Sequence, residues 1–161
     1  MPRTIIGVMG PGESATKLDI SIAYEMGKKI GENGWALLTG GRNAGVMHAA
    51  TLGAKELGGL TIGILPTADK KGMSPYLDIP IITDMGNARN SINILSSKII
   101  VVCGISPGTS SEVSLAIKAK KHIILLNQPP ESKSYFKFLA PDLVHPAALP
   151  DDAVELIRKY V

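Results

Sequence analysis

Short apolar runs rich in β-branched residues alternate along the whole chain with longer stretches whose apolar positions recur every three or four residues. The run TIIGVMG at 4–10 predicts a first strand. Behind it Leu18, Ile22, Met26 and Ile30 recur every fourth position, with Ala23 and Gly27 alongside, the stripe of an amphipathic helix laid on a sheet. Asn33-Gly34 closes that helix, and Trp35 opens a second strand that runs to Gly40-Gly41. A second helix is predicted from about Val46, with Ala50, Gly53, Ala54 and Leu57 on one face. LTIGILP at 60–66 predicts a third strand halted by Pro66, followed by a polar, mobile loop, ADKKGMSPYLD, and a further apolar run, IPIIT. Residues 86–97 predict a helix with Ala88, Ile92 and Leu95 facing inward. KIIVVCG at 98–104 is apolar almost throughout, as expected of a central parallel strand covered on both faces. The helix PGTSSEVSLAIKAKK and the buried strand HIILLN follow. Two helices end the chain, one around ESKSYFKFL and one at DDAVELIRKY, the latter capped by Asp151 or Asp152.

Strands alternating with helices in this way predict an α/β fold, a Rossmann-like doubly wound parallel sheet flanked by helices. No internal repeat, low-complexity tract or linker interrupts the pattern, so residues 1–161 are expected to form a single domain.

Composition narrows the partners. The formal net charge is only +3, aromatic residues make up 4%, and the lysines are scattered, which is not the pattern of a nucleic-acid groove. Anionic small molecules suit such a surface better. Cys103 is the only cysteine, so an intrachain disulfide and a thiolate metal cage are both excluded. That usage, with no signal-like or membrane-spanning window, favours a cytoplasmic protein with no membrane association.

In a doubly wound sheet, ligands bind beyond the carboxyl ends of the strands, where a loop turns into a helix. The loop Gly10-Pro11-Gly12 follows the first strand, where two glycines admit close backbone approach; a plain tight turn would look the same. A richer loop, TGGRNAGVM, follows the second strand. Gly40, Gly41 and Gly45 free backbone N–H groups, the start of the next helix adds partial positive charge, and Arg42 offers a bidentate donor to phosphate. No Lys-Ser/Thr pair follows, so this is not a Walker loop, and no acidic residue sits where a ribose-binding fingerprint needs one. A structural glycine turn with a solvated arginine is the competing account.

A third loop, GISPGTSSE, places Gly108, Thr109 and Ser110 at a helix start, again suited to an oxyanion. The spacing Thr109-x-x-Glu112 fits a capping box, which gives Glu112 a structural role as well as a chemical one. GNARNS supplies Arg89 and Asn90 at another helix start. Both Arg42 and Arg89 are expected at the surface of a cleft. His48, His122 and His145 lack metal-ligand spacing, and Cys103 lies inside an apolar strand, where an inert core thiol is expected.

TGGRNAGVMHAA, GAKELGG-LTIGILP, GNARNSINILSS and GISPGTSSEVSLAIKAKK, in this order, resemble the lysine decarboxylase-like superfamily built like the cytokinin-activating phosphoribohydrolases. Within it, GVMGPG, GW-LLTGGR, GVMH and PGT followed by EV-LA-KAKK resemble the molybdenum cofactor carrier proteins of algae and cyanobacteria. The resemblance runs from Ile6 to about Leu126. It implies a homo-oligomer, dimer or tetramer, that binds the anionic pterin of the molybdenum cofactor and hands it to molybdoenzyme acceptors. The residues expected around that cofactor are Gly10, Pro11, Gly12, Thr39, Gly40, Gly41, Arg42, Asn43, Gly45, Val46, Met47, Arg89, Asn90, Ser106, Gly108, Thr109, Ser110 and Glu112. No protein metal ligand is implied, because the dithiolene sulfurs belong to the cofactor. The alternative is a nucleoside 5'-monophosphate phosphoribohydrolase, since Arg89 and Glu112 match the positions of that family's catalytic arginine and glutamate. The chain departs from the hydrolase loop P-G-G-x-G-T, reading Gly104-Ile105-Ser106-Pro107-Gly108-Thr109 instead.

Overall fold

The computed structural model describes residues 1–161. Seven parallel strands form one sheet: β1 (Ile5–Met9), β2 (Ala36–Thr39), β3 (Leu60–Leu65), β4 (Ile79–Ile82), β5 (Ile99–Cys103), β6 (His122–Leu126) and β7 (Val144–Pro146). Their order across the sheet is β4-β3-β2-β1-β5-β6-β7. The chain winds outward from β1 to β4, then crosses back to place β5 on the other side of β1. The crevice beyond the carboxyl ends of β1 and β5 is therefore the topological switch point, where such sheets bind ligands.

Helices α1 (Lys17–Glu32), α2 (Gly45–Glu56), α3 (Asn90–Ser96), α4 (Pro107–Lys118), α5 (Pro130–Leu139) and α6 (Pro150–Tyr160) cover the sheet, and a 3-10 turn at Gly86–Arg89 leads into α3. One core, around Val8, Met26, Leu37, Val101 and Ile124, lies between the sheet and α1, α2 and α6. The other, around Leu38, Ile64, Val102, Val113 and Phe136, lies under α3, α4 and α5. Alternate residues of β5 enter opposite cores, which is why that strand is apolar at every position. No helix is long and apolar enough to cross a membrane.

α1 and α2 touch backbone to backbone. A Cβ at Gly27 would stand 2.1 Å from the Ala50 carbonyl oxygen, and one at Gly53 would stand 2.1 Å from that of Tyr24. Only glycine fits either position.

Several expectations need correction. Leu18 is exposed, and the buried face of α1 is Asp19, Ala23, Met26, Gly27 and Ile30. Asp19 holds its inner place because it closes a capping box with Thr16 and accepts a hydrogen bond from Asn127. The segment 86–97 is a 3-10 turn joined to a short helix, a change of pitch that rotates Ala88 and Leu95 to solvent and Asn90, Asn93 and Ile94 inward. Leu149 occupies the N-cap of α6, and Asp152 accepts its N–H, while Asp151 pairs with Lys29. β7 had no sequence expectation; its three residues include a proline and sit on the sheet edge, where a missing N–H is tolerated.

Candidate functional site

Five loops meet beyond the strand ends. The first, Gly10–Gly12, leaves β1 and packs directly on the start of α2, where Val46 N–H donates to the Pro11 carbonyl. Gly45 begins α2 with φ +46°, and a Cβ there would stand 2.1 Å from the Gly12 carbonyl oxygen, so the two glycine loops interlock. Thr39 is fully buried, and its hydroxyl accepts from Gly41 N–H.

The loop between β3 and β4 was expected to be mobile, but it is stapled onto the glycine loop. Asn43 N–H donates to the Gly72 carbonyl (2.8 Å), Ser74 N–H to the Gly41 carbonyl (2.9 Å), and Arg42 pairs with Met73 in an isolated antiparallel bridge. The Ser74 hydroxyl lies 3.0 Å from His48 Nδ1. His48 therefore braces the loop.

Arg89 closes the floor. It was expected at the surface, yet it is 7% exposed. Its Nε donates to the Ile64 carbonyl (2.9 Å), one terminal nitrogen to the Gly40 carbonyl (3.4 Å) and the other to the Asn90 side-chain oxygen. These acceptors are neutral, so the guanidinium is buried without an ion-pair partner. Burial pulls its pKa down, against the favourable influence of Glu112.

α4 supplies the opposite wall. Ser106 is its N-cap: the hydroxyl accepts from Thr109 N–H and lies 2.9 Å from the Thr109 hydroxyl. Thr109 is therefore the third residue of the helix, and the expected Thr109–Glu112 capping box does not form. Glu112 sits one turn deeper and is 8% exposed. Burial pushes its carboxyl up to about 7, while Arg89 and the neighbouring Asn93 amide pull the other way. Asn93 is fully buried, and neither of its side-chain polar atoms makes a hydrogen bond of normal geometry. Its effect on Glu112 is that of a nearby dipole.

The cleft these loops enclose has a volume of about 140 Å³, and Arg42, Met47, Arg89, Asn90, Thr109 and Glu112 project into it. Gly10, Gly12, Ser106 and Gly108 complete its lining, as does Asn87, which carried no sequence signal beyond its place beside Arg89. Pro11, Thr39, Gly40, Gly41, Gly45, Val46 and Ser110 stand behind this surface and shape it through the backbone; Val46 belongs to the core. Asn43 faces an adjoining compartment of about 420 Å³ that also touches Arg42, Thr67, Lys71 and Gly72. Thr67 and Lys71 went unnoticed because their loop has no glycine-helix signature, although it too follows a strand's carboxyl end.

Arg42 is half-exposed and forms a salt bridge with Glu13 across the cleft mouth. Cys103 lies wholly inside β5, and burial pushes its thiol up to about 12. It is no nucleophile.

The arrangement can hold an anion between two arginines and a helix start, and it offers amides and hydroxyls to a ring beside it. The chain is 51% identical to the molybdenum cofactor binding protein of the phototrophic bacterium Rippkaea orientalis, with a TM-score of 0.97 over 99% of this chain and 98% of that one. It is 48% identical to the molybdenum cofactor carrier protein of Chlamydomonas reinhardtii, with a TM-score of 0.94 over the same shares of the two chains. An uncharacterized protein of Archaeoglobus fulgidus is 43% identical over 125 residues, 77% of this chain and 80% of that one. The family model matches residues 3–154, and the chain belongs to the SLOG cluster4 family.

Proposed function

We propose that this protein is a carrier of the molybdenum cofactor, which it binds, shields from oxidation and releases to acceptor enzymes. The observation that carries the reading is Arg89, a buried guanidinium at a cleft floor whose hydrogen bonds all end on neutral acceptors. A buried charge without a counterion is costly, and an anionic ligand is what would compensate it. The residues present fit the cofactor: Arg89 and Arg42 meet its negative charge, Ser106 and the start of α4 add donors, and Asn87 and Asn90 offer amide groups to the pterin. When bound, the cofactor supplies the redox-active metal and its dithiolene. The protein's part is to bind, orient and exclude water. The two solved carriers similar to this chain support the reading.

The reading extends to a homo-oligomer: edge strand β4 leaves Ile79, Ile81 and Ile82 each about 40% exposed, an apolar margin that a second copy would cover. One observation favours a phosphoribohydrolase as a second reading, namely the near-neutral Glu112 beside Arg89. Against it, the loop before α4 lacks the hydrolase glycines.

Mass spectrometry and fluorescence of pterin oxidation products from the purified protein, alongside an assay for adenine released from AMP, tests both. Pterin recovery without base release is expected. Base release that collapses in Glu112→Gln would replace the carrier with the enzyme.

A further inference from the structure

The cleft lined by Arg89 is too small for a whole pterin cofactor. Its volume is about 140 Å³, whereas pockets for ligands of that class span roughly 300–1,000 Å³. A ligand of that class extends beyond this open cleft, either past Asn90 and Gly108, where a compartment of about 420 Å³ reaches Ser111 and Leu115, or past Arg42. On the Arg42 side lies the compartment of about 420 Å³ between the glycine loop and the loop after β3, and Arg42 lines both it and the cleft. This compartment presents Lys71, Asn43 and Thr67, and no carboxylate lines it. Among the acids of its framework, Glu13 pairs with Arg42 and Asp69 accepts from the backbone N–H of Lys71, while Asp84, whose N–H donates to the Thr67 carbonyl, has no partner for its carboxylate. The Lys71 ammonium makes no ion pair or hydrogen bond of its own. The backbone staples from Asn43 to Gly72 and from Ser74 to Gly41 hold this wall in place before any ligand arrives, which lowers the ordering cost of binding.

We infer that Lys71 and the loop after β3 form a second oxyanion subsite, joined to the first through Arg42, which takes an anionic, oxygen-bearing group at one end of the ligand. The identity of that ligand rests on the carrier reading; the subsite itself does not. Two groups of the cofactor share the required chemistry, the terminal phosphate and the oxo-molybdenum centre.

The test uses the full chain and two probes, inorganic phosphate and the molybdenum cofactor, titrated against wild type, Lys71→Ala, Lys71→Arg and Lys133→Ala. Lys133 lies on α5, away from both compartments. Lys71→Ala is expected to weaken both probes about tenfold, the loss of one charge-assisted contact at a partly solvated site. Lys71→Arg restores most of the affinity, and Lys133→Ala stays within twofold of wild type. A penalty that disappears with dephosphorylated cofactor places the phosphate at Lys71, and one that persists places the metal end there. Affinities within twofold of wild type for both probes in Lys71→Ala, or an equal loss in Lys133→Ala, overturn the subsite. Phosphate binding that depends on Lys71 without cofactor binding by wild type would keep the subsite and end the carrier reading.

Discussion

Arg89 and Glu112 face the same cleft, carry opposite formal charges and yet form no ion pair. The guanidinium spends its hydrogen bonds on Ile64, Gly40 and Asn90, and the carboxyl pKa is held up at about 7 because burial penalises its charge more than Arg89 relieves it. The cleft floor is thus net positive at neutral pH, with its cation held in place by neutral groups.

Replacing Arg89 with alanine is expected to abolish cofactor binding and also to lower stability by about 1–3 kcal/mol, since buried acceptors on β3, the glycine loop and α3 lose their donor. Denaturant unfolding beside ligand titration separates the two effects. Unchanged stability would mean that water replaces the guanidinium.

Arg42 should behave differently. Its bridge to Glu13 is largely solvated, so Arg42→Ala is expected to leave stability within about 0.5 kcal/mol. Glu13→Ala removes a competitor for the same guanidinium and should tighten anion binding, by no more than about fivefold, the worth of an exposed bridge. Weaker binding in Glu13→Ala would show that the carboxylate positions Arg42 instead of occupying it.

Glu112 should make stability depend on pH in an uncommon direction. Its folded pKa, about 7, lies above the ordinary carboxyl value of 4.5. The folded state therefore holds the proton more tightly, and the stability this confers is complete below about pH 4.5 and is lost as pH rises through 7. Glu112→Gln should abolish that slope and stabilise the ligand-free protein at pH 8 by on the order of 3 kcal/mol. Melting curves from pH 5 to 8 for both proteins decide it. A wild-type slope that survives in Glu112→Gln would assign it to another group.

The histidine pair at the far end of the sheet pulls the opposite way. His122 Nδ1 lies 3.0 Å from His145 Nε2, and both rings stack near Tyr160. Burial lowers both pKa values, with Lys98 and Lys159 adding to the effect at His122, and His122, Lys137 and Lys159 at His145. Depressed histidines stabilise the fold above the unfolded value of 6.5 and lose that contribution as pH falls below it. His145→Gln keeps a hydrogen-bonding side chain without the titration and should flatten the acid limb of the melting profile. An unchanged limb would exonerate the pair.

Much of the fold could be read from the chain because its central strands are apolar on both faces and its helices carry clear stripes. β7 could not, since three residues at an edge give no periodicity. Leu18 misled because spacing marks a face of the helix, and whether the sheet reaches that face depends on how the helix lies across it; Leu95 misled because the 3-10 turn before α3 shifts the phase of the pattern. The glycine loops, Arg89 and Glu112 stood out by residue type. What periodicity could not supply was depth, so the burial of Arg89 and the missing cap at Thr109 emerged only in three dimensions. Lys71 sits in a loop without a glycine-helix signature, seated by hydrogen bonds to a segment about thirty residues earlier that no local pattern announces.

The glycine contact between α1 and α2 has a consequence far from the cleft. With Gly53 seated on the Tyr24 carbonyl and Gly27 on that of Ala50, the two helices have no clearance in which to slide. α2 begins at Gly45, so any wedge between the helices is transmitted along a stiff rod to the loop that carries Arg42. A methyl group at Gly53, touching no ligand and removing no charge, would act as a shim that tilts the anion cradle. A screen for binding defects would then recover a residue on the back of the molecule, and its cause would be mechanical alignment, not recognition.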